Sequence, residues 1–398
     1  MGINRNGINH TMNQISKQIE VTAFNGEIVQ SNHGIWGGER ISYKDGSFTH
    51  NGISNKSSLF KSFSQSKLDL FNYNTEYLIK AMKRLSENNM QIDYKQAVTS
   101  YIVDGKECGE NDFNTLECTL YEGNDKVTIS TYKKNDMFKD EDIIILKNTL
   151  KERIKDIQQA TNPIKKNMPI LLDEEAAGLL TAMIVGYLLE GDRISAGTSY
   201  LFNHMERFKI NPLLKISDII SPSLPVFFTR DEEGTTAINE IPLIKDGRLC
   251  SYITDVKSAE FFGVKNNGRS RSQDYRHIPL PRICNVITHD GDQSFNQLLS
   301  NINNGYYCVG VSGAAVDVAS GVIHVNFQVS YNIENGEITN SINNFSLSIN
   351  IYEYLQYVRL IGNRKKEYYR FMGKSRPLQN HLVGFSSPHI VLEGCCVE

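Results

Sequence analysis

The sequence has no long hydrophobic run, no excess of positive charge and no paired-cysteine spacing, and each absence removes a class of protein. Its longest mostly apolar stretch, Gly178 to Leu189, falls far short of the roughly 20 residues that cross a bilayer, so it reads as a buried helix and no membrane partner is expected. A formal net charge of -3 gives no broad positive field with which to neutralise phosphates, so nucleic acid is not expected as a main partner. The seven cysteines, at 108, 118, 250, 284, 308, 395 and 396, form an odd set without C-x-x-C spacing. Neither a zinc knuckle nor a complete disulfide framework follows, and a reducing, cytoplasmic compartment is expected. Met1 to Asn6 is followed by no apolar run, and Asn6 stands where a myristoylation signal has Ser or Thr, so no export or lipid signal is read.

What is present is ordinary for compact domains: 398 residues, 40% apolar and 22% charged. That length exceeds what a single core usually organises, so one internal boundary is expected. The segment Thr161 to Pro169 is polar and twice interrupted by proline, which suits a connector. It divides the chain into an N-terminal mixed α/β domain, 1–165, and a β-rich domain, 166–398, built around one buried helix; the fold class is α+β.

Periodicity fills in the elements. Alternation in Gln18 to Ala23 suggests strand, and apolar residues at helical spacing from Asn74 to Leu85 predict an amphipathic helix. Ala97 to Val103, Leu116 to Tyr121 and Val127 to Tyr132 read as strands, the last two joined by the turn Glu122-Gly123-Asn124-Asp125, and a second helix runs from about Asp142 to Ala160. Asp173 can cap a helix that carries Glu174 and Glu175 in its first turn and continues to about Leu189. Beyond Pro225 the chain reads as strands punctuated at Asp246-Gly247, Ser320-Gly321 and Asn335-Gly336.

Four blocks in the second domain carry a family likeness: Glu174 to Asp192, Arg230 to Gly263, Asn266 to Asn285 and Val316 to Thr339. In order and character they resemble the TldD/TldE (PmbA) family of peptide-processing metalloproteases. The resemblance implies a helix with a pattern like H-E-A-V-G-H-x-L-E-G-D and a later Cys in a C-G-K segment, which together hold zinc. Two imidazoles and a thiolate leave one position open for the water that the metal activates. Matched onto this chain, the first His falls on Ala182, the Glu on Met183, the second His on Tyr187 and the Cys on Met372, while Leu189-Glu190-Gly191-Asp192 and Gly373-Lys374 are kept. A thioether is a poor zinc ligand. His204, His381 and His389 are the alternative donors, and none is paired with another His at helical spacing.

The resemblance implies a two-subunit protease, so the expectation is a non-catalytic, TldE-like subunit with no cofactor of its own. It would bind an extended or leader peptide for a zinc-bearing TldD-like partner in a heterodimer, as in modified-peptide maturation. The alternatives are an active zinc peptidase with replaced ligands, or a homodimeric peptide-binding protein without catalysis. Candidate substrate-binding residues are Glu190, Asp192, Asn267, Arg269, Arg271 and Arg282. For each a second use is open: Glu190 and Asp192 can close the helix, and the arginines can pair internally with Asp231, Glu232 or Glu233 rather than grip a peptide carboxylate. His277 is expected to make a core hydrogen bond, and Cys395 and Cys396 are expected to be incidental.

Overall fold

The computed structural model describes residues 8–24, 27–43, 48–52, 77–85, 87, 89–103, 106–134, 136, 138–162, 168–200, 209–317, 320–342, 345–374 and 378–393. Residues 163–167 of the connector, His204, Cys395 and Cys396 lie outside them, as does Ala319 just before the expected Ser320-Gly321 turn.

The first half of the chain forms one antiparallel sheet of strands β1 (Ile8–Phe24), β2 (Glu27–Tyr43), β3 (Phe48–Gly52), β4 (Met90–Val103), β5 (Lys106–Glu122) and β6 (Asp125–Lys134), in the order β3-β2-β1-β4-β5-β6. The turn between β5 and β6 is the two-residue Gly123-Asn124 hairpin expected from sequence, with Gly123 at φ 60°. A helix at 77–85 and the helix Asp140–Gln158 bury one face each. Leu78, Met82, Ile143, Leu146, Leu150 and Ile154 pack with Ile92, Leu116 and Leu120 of the sheet into one core.

The second half contributes β7 (Ile170–Leu172), β8 (Ile216–Ile219), β9 (Glu240–Lys245), β10 (Arg248–Leu249), the short pair β11 (Ser270–Arg271) and β12 (Leu280–Pro281), β13 (Asn285–Thr288), β14 (Asn304–Asp317), β15 (Val322–Glu334), β16 (Glu337–Ile342), β17 (Ser346–Asn350), β18 (Val358–Lys374) and β19 (Gln379–Leu392). All but β11 and β12 belong to one mixed sheet, in which β19 lies between β13 and β7. Against it packs the central helix Glu174–Leu189, buried at nearly every position. A helix apolar all round belongs inside a core. Asp173 caps it by accepting from the backbone N–H of Ala176 at 2.8 Å. The turns β9–β10 and β15–β16 place Asp246, Gly247, Asn335 and Gly336 at positive φ, as two-residue hairpins require. Among the described residues no helix is long and apolar enough to cross a membrane.

The two halves of the chain meet through polar and aromatic contacts. The Tyr132 hydroxyl donates to Glu367 at 2.9 Å, the Tyr331 hydroxyl to Asp156 at 2.6 Å, and the Phe113 ring stands edge-on to Tyr369 at 5.2 Å. Arg40 of β2, fully buried, pairs with Glu232 at 2.9 Å and donates to the His277 carbonyl at 2.8 Å.

Candidate functional site

A cleft of about 830 Å³ opens between the halves. Its floor is the central helix, which presents Leu179, Met183 and Tyr187, spaced four apart and therefore on one face. One wall is β14 and β15, through Val311 to Ala314 and Phe327 to Ser330; the other is Arg370 to Gly373 of β18. The first sheet forms the roof through Glu117 and the β5–β6 turn.

The walls include strand edges. β14 pairs with β7 only at Tyr306–Cys308, so its segment Ser312–Asp317 has β15 on one side and no partner strand on the other among the described residues. Ser312, Ala314 and Ala315 are exposed there, and small side chains leave the backbone approachable. β18 pairs only with β19 among the described residues. Its Met372 carbonyl, however, already accepts from Arg282 at 3.0 Å.

Three of the four positions matched to zinc-site residues, Met183, Tyr187 and Met372, line this one cleft. Ala182 does not; it is fully buried in the helix's core contact. Two thioethers and a phenol do not make the nitrogen, thiolate and carboxylate set that zinc takes. Among the described residues no three His, Cys, Asp or Glu side chains converge to hold a metal. The described residues at these positions therefore do not fit a zinc ion.

The retained Glu190, Asp192 and Lys374 form a buried ionic cluster beside the cleft. Glu190, with no exposed surface, pairs with Arg282 at 2.8 Å and Lys374 at 2.9 Å, and Lys374 also reaches Asp192 at 2.8 Å and the Pro281 carbonyl at 2.6 Å. Burial alone would raise the Glu190 carboxyl, but Lys374, Arg282 and Arg193 hold it down at about 2. Gly191 follows because a Cβ there would meet Ser258 at 2.7 Å and the Ile253 carbonyl at 3.0 Å. The cluster fastens the end of the central helix to β18, and Arg282 carries that link to Met372.

None of the six candidate substrate-binding residues lines the cleft. Arg269 is fully buried on Asp218 at 2.6 Å, and Asn267 ties the Tyr252 carbonyl at 2.6 Å to the Thr254 amide at 3.1 Å. Arg271 donates to the carbonyls of Ile283 and Leu382. Internal pairing of arginines is thus found, but its partners are Asp218 and Glu190 rather than the acidic run Asp231 to Glu233. In that run Asp231 accepts three backbone amides, Glu232 takes Arg40, and Glu233 accepts the Val256 amide. His277 bonds Asp274 at 2.8 Å, and His389 lies 3.5 Å from Glu174. Sequence reasoning missed Asp218 and Lys374 as structural ions. Nothing local marks them, because their partners lie 51 and more than 180 residues away.

This is an α+β chain with a cleft lined by residues of both sheets and floored by the central helix. The family model for the PmbA/TldA metallopeptidase C-terminal domain matches residues 165–398, and the chain belongs to the TldD/PmbA family. It is 30% identical over 232 residues to a metalloprotease TldD homolog of Buchnera aphidicola (subspecies Acyrthosiphon pisum), covering 58% of this chain and 47% of that one. It is 30% identical over 260 residues to a metalloprotease of Methanothermobacter thermautotrophicus, covering 65% and 56%. The chain thus spans about half the length of the curated relatives it matches. The solved structure of TldE from Thermococcus kodakarensis superposes over 98% of this chain and 96% of its own with TM-score 0.70 at 16% identity, a likeness of fold.

Proposed function

We propose that this chain is a non-catalytic, TldE-like subunit that binds an extended peptide in the inter-sheet cleft and presents it to a zinc-bearing TldD-like partner. The observation that carries this reading is the edge of β14, Ser312 to Ala315, which has no partner strand on one side among the described residues, along a cleft floored by Met183 and Tyr187. An extended chain can add to such an edge as a further strand, gaining backbone hydrogen bonds with little demand on sequence. Native edges are normally protected by charge, proline or a bulge, and Ser-Gly-Ala-Ala has none of these except the register shift between Val311 and Gly313. The apolar floor and Met372 suit side chains of an unfolded segment and supply neither a nucleophile nor a metal-activated water.

The heterodimer, the leader-peptide substrate and a cytoplasmic setting belong to this proposal. Its test is co-expression with a relative that carries the H-E-x-x-x-H pattern, followed by native mass measurement. A mixed dimer that retains a labelled unstructured peptide supports the subunit role. A chain that only self-associates, with no mixed species, contradicts it and favours a homodimeric peptide-binding protein.

A further inference from the structure

A second pocket, of about 350 Å³, adjoins the cleft, and the Phe371 ring belongs to both linings. Such a volume sits at the small end of ligand sites, which run from about 300 to 1,000 Å³. Phe113, Val226, Phe228 and Leu382 give it an apolar wall, and Arg230, Arg271 and His381 a polar one.

His381 is 2% exposed, and among the described residues neither of its ring nitrogens has a hydrogen-bond partner. A buried imidazole left unpaired costs free energy unless something else satisfies it. Burial, with Arg271 and Arg282 nearby, pushes it down to about 2, so it is neutral and offers one N–H and one lone pair.

The charges around it are unevenly matched. Arg271 and Arg230 donate to backbone carbonyls and make no ion pair among the described residues. The acidic groups of the same pocket are engaged elsewhere: Glu232 by Arg40, Asp274 by Arg276 at 2.6 Å, and Asp231 by backbone amides. The pocket therefore has cationic and neutral donors to offer and an apolar wall beside them, the complement of a carboxylate carried next to an apolar group.

Resting on the peptide-cleft reading, we propose that this pocket receives the C-terminal residue of the bound peptide, its free carboxylate against Arg271, Arg230 and His381 and its apolar side chain against Phe113, Val226 and Phe371. The shared Phe371 ring puts the pocket where a chain lying in the cleft can end. The site would then select peptides with a free, apolar C-terminus over internal segments of a folded or longer chain.

The test uses the full chain and fluorescently labelled pentapeptides ending in leucine, as the free acid and as the C-terminal amide, titrated by anisotropy. The acid binds at least tenfold tighter than the amide if the proposal holds, and the difference shrinks to less than threefold in His381→Leu, which removes no hydrogen bond to a described residue, and in Arg230→Gln. Circular dichroism confirms that both variants fold. Equal affinity for acid and amide overturns the pocket assignment and leaves the peptide cleft standing, whereas binding of neither overturns both. A preference that survives both substitutions places the carboxylate elsewhere and also overturns it. N-acetyl-leucine competing as tightly as the pentapeptide acid identifies a small free acid as the ligand and overturns the chain-end assignment.

Discussion

Glu190 shows at the level of one residue how a position of the family pattern can serve the packing of the fold. In the resemblance it stands just past the metal-binding helix; here it holds Arg282, Lys374 and Arg193 in a space without solvent. Removing the carboxylate leaves buried Arg282 without an ion pair and Lys374 with Asp192 alone, and breaking a buried pair in this way typically costs about 3–5 kcal/mol. Glu190→Ala is therefore expected to lower unfolding stability by that order, measured by urea denaturation, with a smaller loss for Glu190→Gln. A change under about 0.5 kcal/mol, the level of an ordinary surface substitution, would refute the structural role. The departure from the family pattern at the three ligand positions Ala182, Tyr187 and Met372 and at the Glu position Met183 can be read from the sequence, because imidazole, carboxylate and thiolate are chemically unlike the residues found here. The sequence did not reveal that Ala182 turns into the core while the other three share the cleft, since that depends on which helix face the sheet covers.

At the level of elements, the readable parts were those whose signals are local. The Asp173 cap, the hydrophobic run behind it and the Gly123, Gly247 and Gly336 turns each state their geometry within a few residues. Two short helices, Phe295–Ser300 and Ile351–Tyr357, went unread although their capping boxes, Ser294 with Gln297 and Asn350 with Glu353, stand in the sequence. Of the 17-residue strands β1 and β2, only Gln18 to Ala23 within β1 shows its alternation locally; the rest of β1 depends on pairing that only the sheet supplies, and β2 is masked further by its Gly and Asn content. The edge of β14 was equally invisible, because an edge is defined by which neighbour is missing. Its proposed role makes a sharp expectation: a lysine is a common guard on exposed edges. Ala314→Lys should weaken peptide binding about tenfold, roughly 1.4 kcal/mol, with little change in thermal midpoint because Ala314 is exposed. Unchanged affinity in an anisotropy titration would remove the strand edge from the account of binding.

Over the whole molecule, buried ionisable groups set how stability responds to pH. Burial pushes Asp173, Asp231 and Glu233 up to about 7 each, from ordinary values of 3.8, 3.8 and 4.5. Their protonated forms favour the folded state, so the stability they contribute is complete below about 4 and is lost as pH rises through 7. His381, pushed down to about 2 from 6.5, acts oppositely: its contribution is complete above 6.5 and declines as pH falls below it. Glu190, held at about 2, loses its contribution only below 4.5. Three carboxyls outweigh the imidazole, with His389 lowered by burial as a further partial offset. The calorimetric midpoint should therefore be higher at pH 5.5 than at pH 8 and fall again under acid. A midpoint that climbs steadily from pH 5.5 to 8 would show these carboxyls to be ionised in the fold.

The two halves are joined by the contacts of Arg40, Tyr132 and Tyr331, so the cleft is a product of the whole chain rather than of the family-matched part alone. The proposed reading is that it holds a peptide but has no donors at Met183, Tyr187 and Met372 to activate water. The most direct measurement is turnover of a labelled, unstructured peptide by the purified chain, with and without added zinc, and again after mixing with a relative bearing the H-E-x-x-x-H pattern. No turnover is expected from the chain alone at any zinc concentration, and chelator-sensitive turnover is expected from the mixture. Turnover by the chain alone, abolished by chelator and restored by zinc, would contradict it.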